Sequence, residues 1–387
     1  MEKYEIAVIG AGPAGSTAAY FLAQKNIDII LVDKEIFPRD KPCGGGLTVK
    51  TVDFLKKFGL YDKGYIEKKI DVIKLTHVRG LEATLEVQNA IETVRRKFFD
   101  QFLALKAVDT GALFLENEPL IELKRKNGFF ELKTKSKVFK ADFVIGADGV
   151  EGKTAAMTGL EHRSSKNELM LAAMAEIPYK HNLDFIELSL GYLRNGYGWV
   201  FPKKEYINIG IGCRLSSCKE FRASVKRFLK YIKKKFKVKA DKMLKYSCIP
   251  VVGSSRRILE GKRVLLVGDA AGLGDPWSGE GIYQALLSGW IGALTASAIL
   301  NRKKLSYMEI IDKFILRNLK VGNLFSKIYY SFQYYDVKFT KEYKSLIEKY
   351  LKLLLKNEIG YAYFLKVGIP FLLKLLVRQG TFLLKRI

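Results

Sequence analysis

The chain is poor in the side chains that hold metals or staple small folds. It has four cysteines (Cys43, Cys213, Cys218 and Cys248) and three histidines in 387 residues, and neither set shows metal-ligand spacing. That argues against a structural metal site and a disulfide framework, and for a reducing compartment. Acidic residues are scarce beside basic ones: 40 Asp and Glu against 66 Lys and Arg leave a formal charge of +26. Such an excess points to a polyanionic partner, whether nucleic acid, an anionic membrane surface or a phosphorylated substrate. The longest charge-free stretch is Gly281–Asn301, 21 residues. It is long enough to span a bilayer, but Gln284, Ser288, Thr295 and Ser297 interrupt it, so a buried core helix is expected. No signal peptide precedes the first predicted strand, which begins within five residues of Met1.

What the chain does have is glycine in the right places. Glu5-Ile6-Ala7-Val8-Ile9 reads as a buried parallel strand. Gly10 permits a tight turn, Gly12 lets the backbone approach a pyrophosphate, and Gly15 lets the following helix pack closely; Ala14 lies between them. That helix offers free N–H groups and a positive dipole end to phosphates. A second strand, Ile27–Val32, ends at Asp33, placed to bind ribose hydroxyls. A dinucleotide site follows. Close behind comes a rigid turn, Lys41-Pro42-Cys43-Gly44-Gly45-Gly46, where the reactive end of the dinucleotide is expected.

Further along, residues 49–60 and Thr93–Gly111 read as helices, the second carrying Arg96. Asn127-Gly128 marks a hairpin, and Ala141–Ile145 is a buried strand leading into Gly146-Ala147-Asp148-Gly149. Residues 71–88 and Met170–Gly212 alternate as successive strands, suggesting an antiparallel sheet inserted into the nucleotide domain. Lys219–Lys245 carries twelve Lys or Arg against two acids, with a helical apolar stripe at Phe221, Val225, Phe228, Leu229, Ile232 and Phe236. Its charged side is either a solvated face or an anion-facing one. Val264–Val267 leads into Gly268-Asp269, and everything beyond 302 reads as helical. The last forty residues are leucine-rich and basic, either an interfacial membrane helix or a helical pair packed on the body.

Three motifs in this order (the N-terminal glycines, Gly146–Gly149, and Gly268-Asp269 with Pro276, Gly279, Glu280, Gly281 and Ile282) resemble the FAD fold shared with p-hydroxybenzoate hydroxylase. Within it the chain is similar to the geranylgeranyl reductase family. The likeness rests on Pro38–Gly46, on Tyr197-Gly198-Trp199-Val200-Phe201-Pro202 with Gly210-Ile211-Gly212, and on Asp275–Ile282. The implied fold is α/β: a Rossmann-type FAD-binding domain from 1–70, 93–156 and 250–301, a substrate sheet from 71–92 and 157–249, and a C-terminal helical region, 302–387. The resemblance implies FAD contacts at Ala14, Asp33, Cys43, Gly44, Gly46, Arg96, Leu120, Asp269, Gly281 and Ile282, beside Gly10, Gly12 and Gly15.

The implied reaction is hydrogenation of isolated C=C bonds in geranylgeranyl chains of membrane lipids. It needs hydride from reduced flavin, a proton donor, and exclusion of water. Trp199, Phe201 and Trp277 would wall a tunnel for the polyprenyl chain, or are ordinary core aromatics. Cys43 would position the chain rather than act as an acid, and Tyr197 and Tyr283 are other proton donors or relays. Related chains continue the Asp-Gly motif with Ser and then Arg; Gly152 and Ala156 stand there instead, which puts NAD(P)H in doubt as direct donor and leaves room for a ferredoxin. The expected setting is cytoplasmic, peripheral to an anionic membrane, with a polyprenyl lipid as substrate. The rivals are a monooxygenase of the same fold and a reductase of menaquinone side chains or free geranylgeranyl diphosphate. Nucleic-acid binding is not expected, because the charge lies on helices and a greasy tail rather than beside a reader motif.

Overall fold

A computed structural model describes residues 1–80, 82–162, 165–240, 243–253, 257–332, 341–363 and 365–367. Two eight-stranded sheets organise the chain. In the first, five strands run parallel in the order Val264–Leu266, Val138–Gly146, Lys3–Ile9, Ile29–Val32 and Leu113–Leu115. Ile6, Ala7 and Val8 are fully buried, as a central strand covered on both faces requires. The helix Pro13–Ala23 follows the first strand. It lies against the helix Ile282–Leu300 so closely that a Cβ on Gly289 would sit 2.3 Å from the Ala14 carbonyl oxygen. The long apolar segment is thus a core helix, with 67% of its most apolar window buried. The hairpin at Asn127-Gly128 forms, with Gly128 at φ +91° and Lys126 N–H donating to the Phe129 carbonyl.

The second sheet runs Lys245–Pro250, Leu169–Pro178, Tyr206–Arg214, Gly196–Pro202, Phe185–Leu190, Ile66–His77, Glu82–Val94 and Gly46–Thr48. Its pairings are antiparallel except one: Phe185–Leu190 lies parallel to Val72–His77. The sequence-based limits need correction here. The sheet begins at Ile66 rather than 71, and runs to Val94 rather than 92. It also takes in Gly46–Thr48, which pairs with Ile91–Thr93. The helix read as starting at Thr93 starts at Arg96. Alternation misled because the Cys43–Gly46 turn supplies a strand too short to show a period.

Side-chain alternation splits this sheet. Ile207, Ile209, Ile211 and Cys213 face the helix Phe221–Phe236, whose predicted stripe is buried against them. Asn208, Gly210 and Gly212 lie on the alternate positions, the side that carries Trp199. Further along, Ile70, Ile73, Leu85, Val87, Ile91 and Ile186 pack with Leu351 of the helix Lys341–Leu355. The helix Arg317–Phe332 adds Phe325, which joins the main core. The C-terminal segments therefore pack on the body, with Leu351 and Tyr361 buried. The tail residues Phe371–Val377 and Phe382–Leu384 lie outside the described residues.

Candidate functional site

The first glycine turn is held from beneath. Asp33 Oδ2 accepts from Ala11 N–H at 2.7 Å and Oδ1 from Glu35 N–H at 2.9 Å, which leaves each oxygen a further lone pair. Gly10 sits at φ +101°, with Ala147 carbonyl oxygen 2.4 Å from where a Cβ would be; at Gly15 the Gly10 carbonyl oxygen would be 1.8 Å away. These two glycines are required by packing. Gly12 is different: among the described residues a Cβ there would meet only Arg39 Nη2, at 3.7 Å, so its approach is open. Gly281 is open too, with only Asp269 Oδ1, at 3.4 Å, among the described residues. Both helices that begin beside these openings, at Pro13 and Ile282, lack a side-chain cap, so their first N–H groups remain for a ligand.

Positive charge lines the same cradle. Arg96 donates twice to Asp100, at 2.6 and 2.7 Å, and Arg39 meets the same carboxylate at 3.0 Å. Burial works against the Arg96 charge, but Asp100 more than restores it and the guanidinium stays protonated. Burial pushes the Asp269 carboxyl above the usual aspartate range, against the pull of Lys41 and Arg96. Glycine openings, uncapped helix ends and this Arg39–Lys41–Arg96 group form a surface that fits a dinucleotide diphosphate. Leu120 is half-buried beside the core, in the stretch after Glu118, whose N–H donates to the Asp33 carbonyl.

The Cys43–Gly46 turn meets the second sheet at close range. Asn208 ties them: its Nδ2 donates to the Cys43 carbonyl at 3.0 Å, and its Oδ1 accepts from Trp199 Nε1 at 2.8 Å. Phe201 lies so near that Cβ atoms on Gly44 and Gly46 would come within 3.1 and 2.9 Å of its ring. Trp199 lies over Gly210, where a Cβ would be 2.1 Å from the indole. Beneath the turn, Lys203 is buried with Glu176 at 3.1 Å, and Arg95 shares that carboxylate at 3.0 Å. Desolvation lowers the Lys203 ammonium, and Glu176 works the other way.

The third wall is the loop Asp275–Gly281. Asp275 accepts from the N–H groups of Trp277 and Ser278, and its other oxygen accepts from Tyr361 Oη at 2.6 Å. Arg214 Nη2 donates to Pro276 carbonyl at 3.2 Å and to Asn323 Oδ1 at 2.8 Å. Tyr330 donates to Trp277 carbonyl, and Tyr197 to Ser278 carbonyl. Glu280 binds Lys50 at 2.8 Å and Thr48 at 2.6 Å, joining this loop to the end of the cysteine–glycine turn. Burial opposes the Lys50 charge, and Glu280 more than offsets it. Tyr283 lies under Lys50, 4.8 Å from ring centroid to Nζ.

The structure thus brings Cys43, Gly44, Gly46, Trp199 and Phe201 together, and gathers Asp269, Gly281 and Ile282 at the cradle. Trp277 joins two aromatic and apolar groups. Its ring packs on Phe325, Tyr329 and Tyr361 at 5.3, 5.7 and 6.2 Å between centroids, and it packs against the same apolar cluster as Phe201. The Tyr197 hydroxyl donates to the Ser278 carbonyl, and burial, with Asp275 nearby, drives its pKa upward. At the Asp-Gly motif, a Cβ on Gly152 would fall within 2.5 Å of the Asp148 carboxyl group, which caps Thr154 instead. That carboxylate fills the space a serine side chain would need. Asn208 and Arg214 were not foreseen. Asn208 had a signal, a single amide in the apolar strand Tyr206–Arg214; Arg214 had none, because its partners come from distant helices.

A mixed sheet with a glycine-lined diphosphate cradle, facing a second sheet across a cysteine–glycine turn, defines an FAD flavoprotein of the p-hydroxybenzoate hydroxylase type. The chain belongs to the FAD-binding domain family, whose model matches residues 3–286. It is 35% identical over 342 residues to an uncharacterized protein of Methanosarcina barkeri, covering 85% of this chain and 84% of that one. It is 29% identical over 352 residues to the digeranylgeranylglycerophospholipid reductase of Methanothrix thermoacetophila, covering 84% and 88% respectively. Among solved structures, a geranylgeranyl bacteriochlorophyll reductase-like protein of Thermoplasma acidophilum superposes with TM-score 0.76 at 25% identity, covering 84% of this chain and 87% of that one.

Proposed function

We propose that the protein is an FAD-dependent reductase that saturates C=C bonds in the geranylgeranyl chains of membrane-lipid precursors such as digeranylgeranylglyceryl phosphate. The observation that carries this reading is the Cys43–Asn208–Trp199 link, which sets an apolar aromatic wall directly on the turn beside the flavin cradle. When bound, FAD supplies the hydride. The second hydrogen arrives as a proton from water or a side chain, and the chain's own residues hold and shield the alkene. Trp199 and Phe201 exclude water from the alkene and hold it in place. Cys43 positions: its sulfur accepts from Gly45 N–H at 3.4 Å and its carbonyl is fixed by Asn208. Tyr197 anchors the flavin loop through Ser278 and keeps its proton at neutral pH, since burial raises its pKa.

The test is direct. Dithionite-reduced protein mixed anaerobically with digeranylgeranylglyceryl phosphate should yield lipid heavier by pairs of hydrogens. An unchanged lipid, with oxygen-dependent product from an aromatic compound and NAD(P)H instead, would make the protein a monooxygenase. Gly152 and Ala156, standing where related chains carry Ser and Arg, favour an electron donor other than NAD(P)H, such as a ferredoxin.

The same reading puts the enzyme in the cytoplasm, resting on an anionic membrane. The exposed positions of Phe221–Phe236 are Arg222, Ala223, Lys226, Arg227, Lys230 and Lys233–Lys235, which supports such a contact. Tyr361 holds Asp275, so a truncation that probes the tail must begin after Val367. Removing 368–387 should weaken binding to vesicles containing anionic lipid; unchanged binding would restrict the contact to the rest of the chain.

A further inference from the structure

Cys213 and Cys218 are five residues apart, yet the fold brings their sulfurs to 2.7 Å. Cys213 is the penultimate residue of the strand Tyr206–Arg214 and is fully buried on the side away from the flavin cradle; Cys218 closes the short turn Leu215–Ser217 and is half-buried. Cys248 is a poorer partner for Cys213, because Leu171 lies between them, paired to both across the sheet. Cys218 also donates to the Arg214 carbonyl at 3.2 Å. Arg214 is the residue whose guanidinium holds Pro276 of the flavin loop.

We propose that Cys213 and Cys218 form a reversible redox-modification site, closed to a disulfide by a peroxide and reopened by cellular thiols. Cys218 is the attacking sulfur: it is the more accessible of the two, and hydrogen bonding from Cys213 lowers its pKa. Its thiolate, formed when the thiol gives up its proton, attacks one peroxide oxygen, the O–O bond breaks, and the leaving hydroxide takes up that proton as water, giving a sulfenic acid on Cys218. Cys213 then attacks that sulfur; the S–S bond forms, the S–O bond breaks, and the Cys213 proton leaves with the hydroxyl as a second water. Two thiols and one hydrogen peroxide become one disulfide and two waters. The disulfide sulfur has no proton, so Arg214 loses the hydrogen bond at its carbonyl. A transient dithiol of this kind suits a reducing compartment, where lasting disulfides are rare.

The full chain with FAD bound should be treated with hydrogen peroxide and mapped by trypsin. Cleavage after Arg214 separates the two cysteines, so reduced protein releases two peptides and oxidised protein leaves them joined. Free thiols should fall from four to two, and dithiothreitol should restore them. Cys248→Ser should behave as the parent with one fewer thiol, and Cys218→Ser should abolish the joined peptide. Two separate peptides after peroxide, or joining of Cys218 to Cys248, would overturn the assignment. Because Cys218→Ser alters only a half-buried turn residue, it keeps the test intact if substitutions at buried Cys213 fail to fold.

Discussion

The two sides of the reaction chamber are built from different materials. The flavin side is made of main chain: glycine turns at Gly10–Gly15 and Gly281, uncapped helix ends, and Asp33 pinning a backbone N–H. The opposite side is made of side chains, Trp199 over Gly210 and Phe201 over Gly44, and the loop Asp275–Gly281 that joins it to the cradle is tied by Arg214, Tyr330 and Tyr361. A ligand with an invariant diphosphate can be met by backbone groups at fixed spacing. A long hydrocarbon chain offers nothing to hydrogen-bond, so its wall must be shaped by aromatic packing. The first kind of site is written locally. The second is assembled from distant parts.

Changes on the two sides should therefore fail differently. The largest effect is expected at Gly15→Ala, whose methyl would sit 1.8 Å from the Gly10 carbonyl oxygen. It should cost ~3 kcal/mol or more and leave protein without flavin, read by thermal unfolding and by visible absorbance after desalting. If Gly15→Ala binds FAD normally, the packing account of the cradle fails. Arg214→Met should cost about 1–3 kcal/mol by leaving the Asn167 carbonyl without its Arg214 donor and the Pro276 carbonyl with Ser326 Oγ alone. A chemical denaturation midpoint matching the parent would remove Arg214 from the clamp. Tyr361→Phe leaves one oxygen of buried Asp275 unpaired and should cost about 1–2 kcal/mol, with weaker FAD retention on dilution. Intact retention would show that the C-terminal contact does not reach the flavin loop.

The smallest effect concerns Asp269 in the apoprotein. Its folded pKa is raised, chiefly by burial, so its contribution to stability is present below the ordinary aspartate range and is lost as pH rises through the higher folded value. Asp269→Asn has no such loss. The melting temperature of apo Asp269→Asn should gain on the parent as pH increases through the carboxylate range, while its FAD affinity falls. A difference that shrinks with rising pH would contradict the assignment of burial as the dominant cause.

The same contrast governs how much the sequence disclosed. Gly10, Gly12, Gly15 and Asp33 lie within one strand–turn–helix–strand unit, so spacing alone located the cradle. The aromatic stretch Tyr197–Pro202 was legible through its likeness to a family. Its supports were not: Asn208 reaches back to Cys43 across 165 residues, and Tyr361 reaches Asp275 across 86. The partners of Trp277 were hidden for the same reason, since the Phe325–Tyr361 cluster that packs on it is assembled by the C-terminal helices. The basic stripe of Phe221–Phe236 was read correctly as a helix because period and burial agree within one element.

The division of labour between the two sides can be tested at one atom. In Gly210→Ala the new methyl would come 2.1 Å from the Trp199 indole and push the ring from its place, without touching the cradle. FAD content and hydrogenation of digeranylgeranylglyceryl phosphate should be measured on the same preparation after dithionite reduction. The prediction is a full flavin complement with hydrogenation reduced ~100-fold, the scale expected when a substrate is displaced by about 1 Å. Loss of flavin together with activity, or unimpaired hydrogenation, would contradict it.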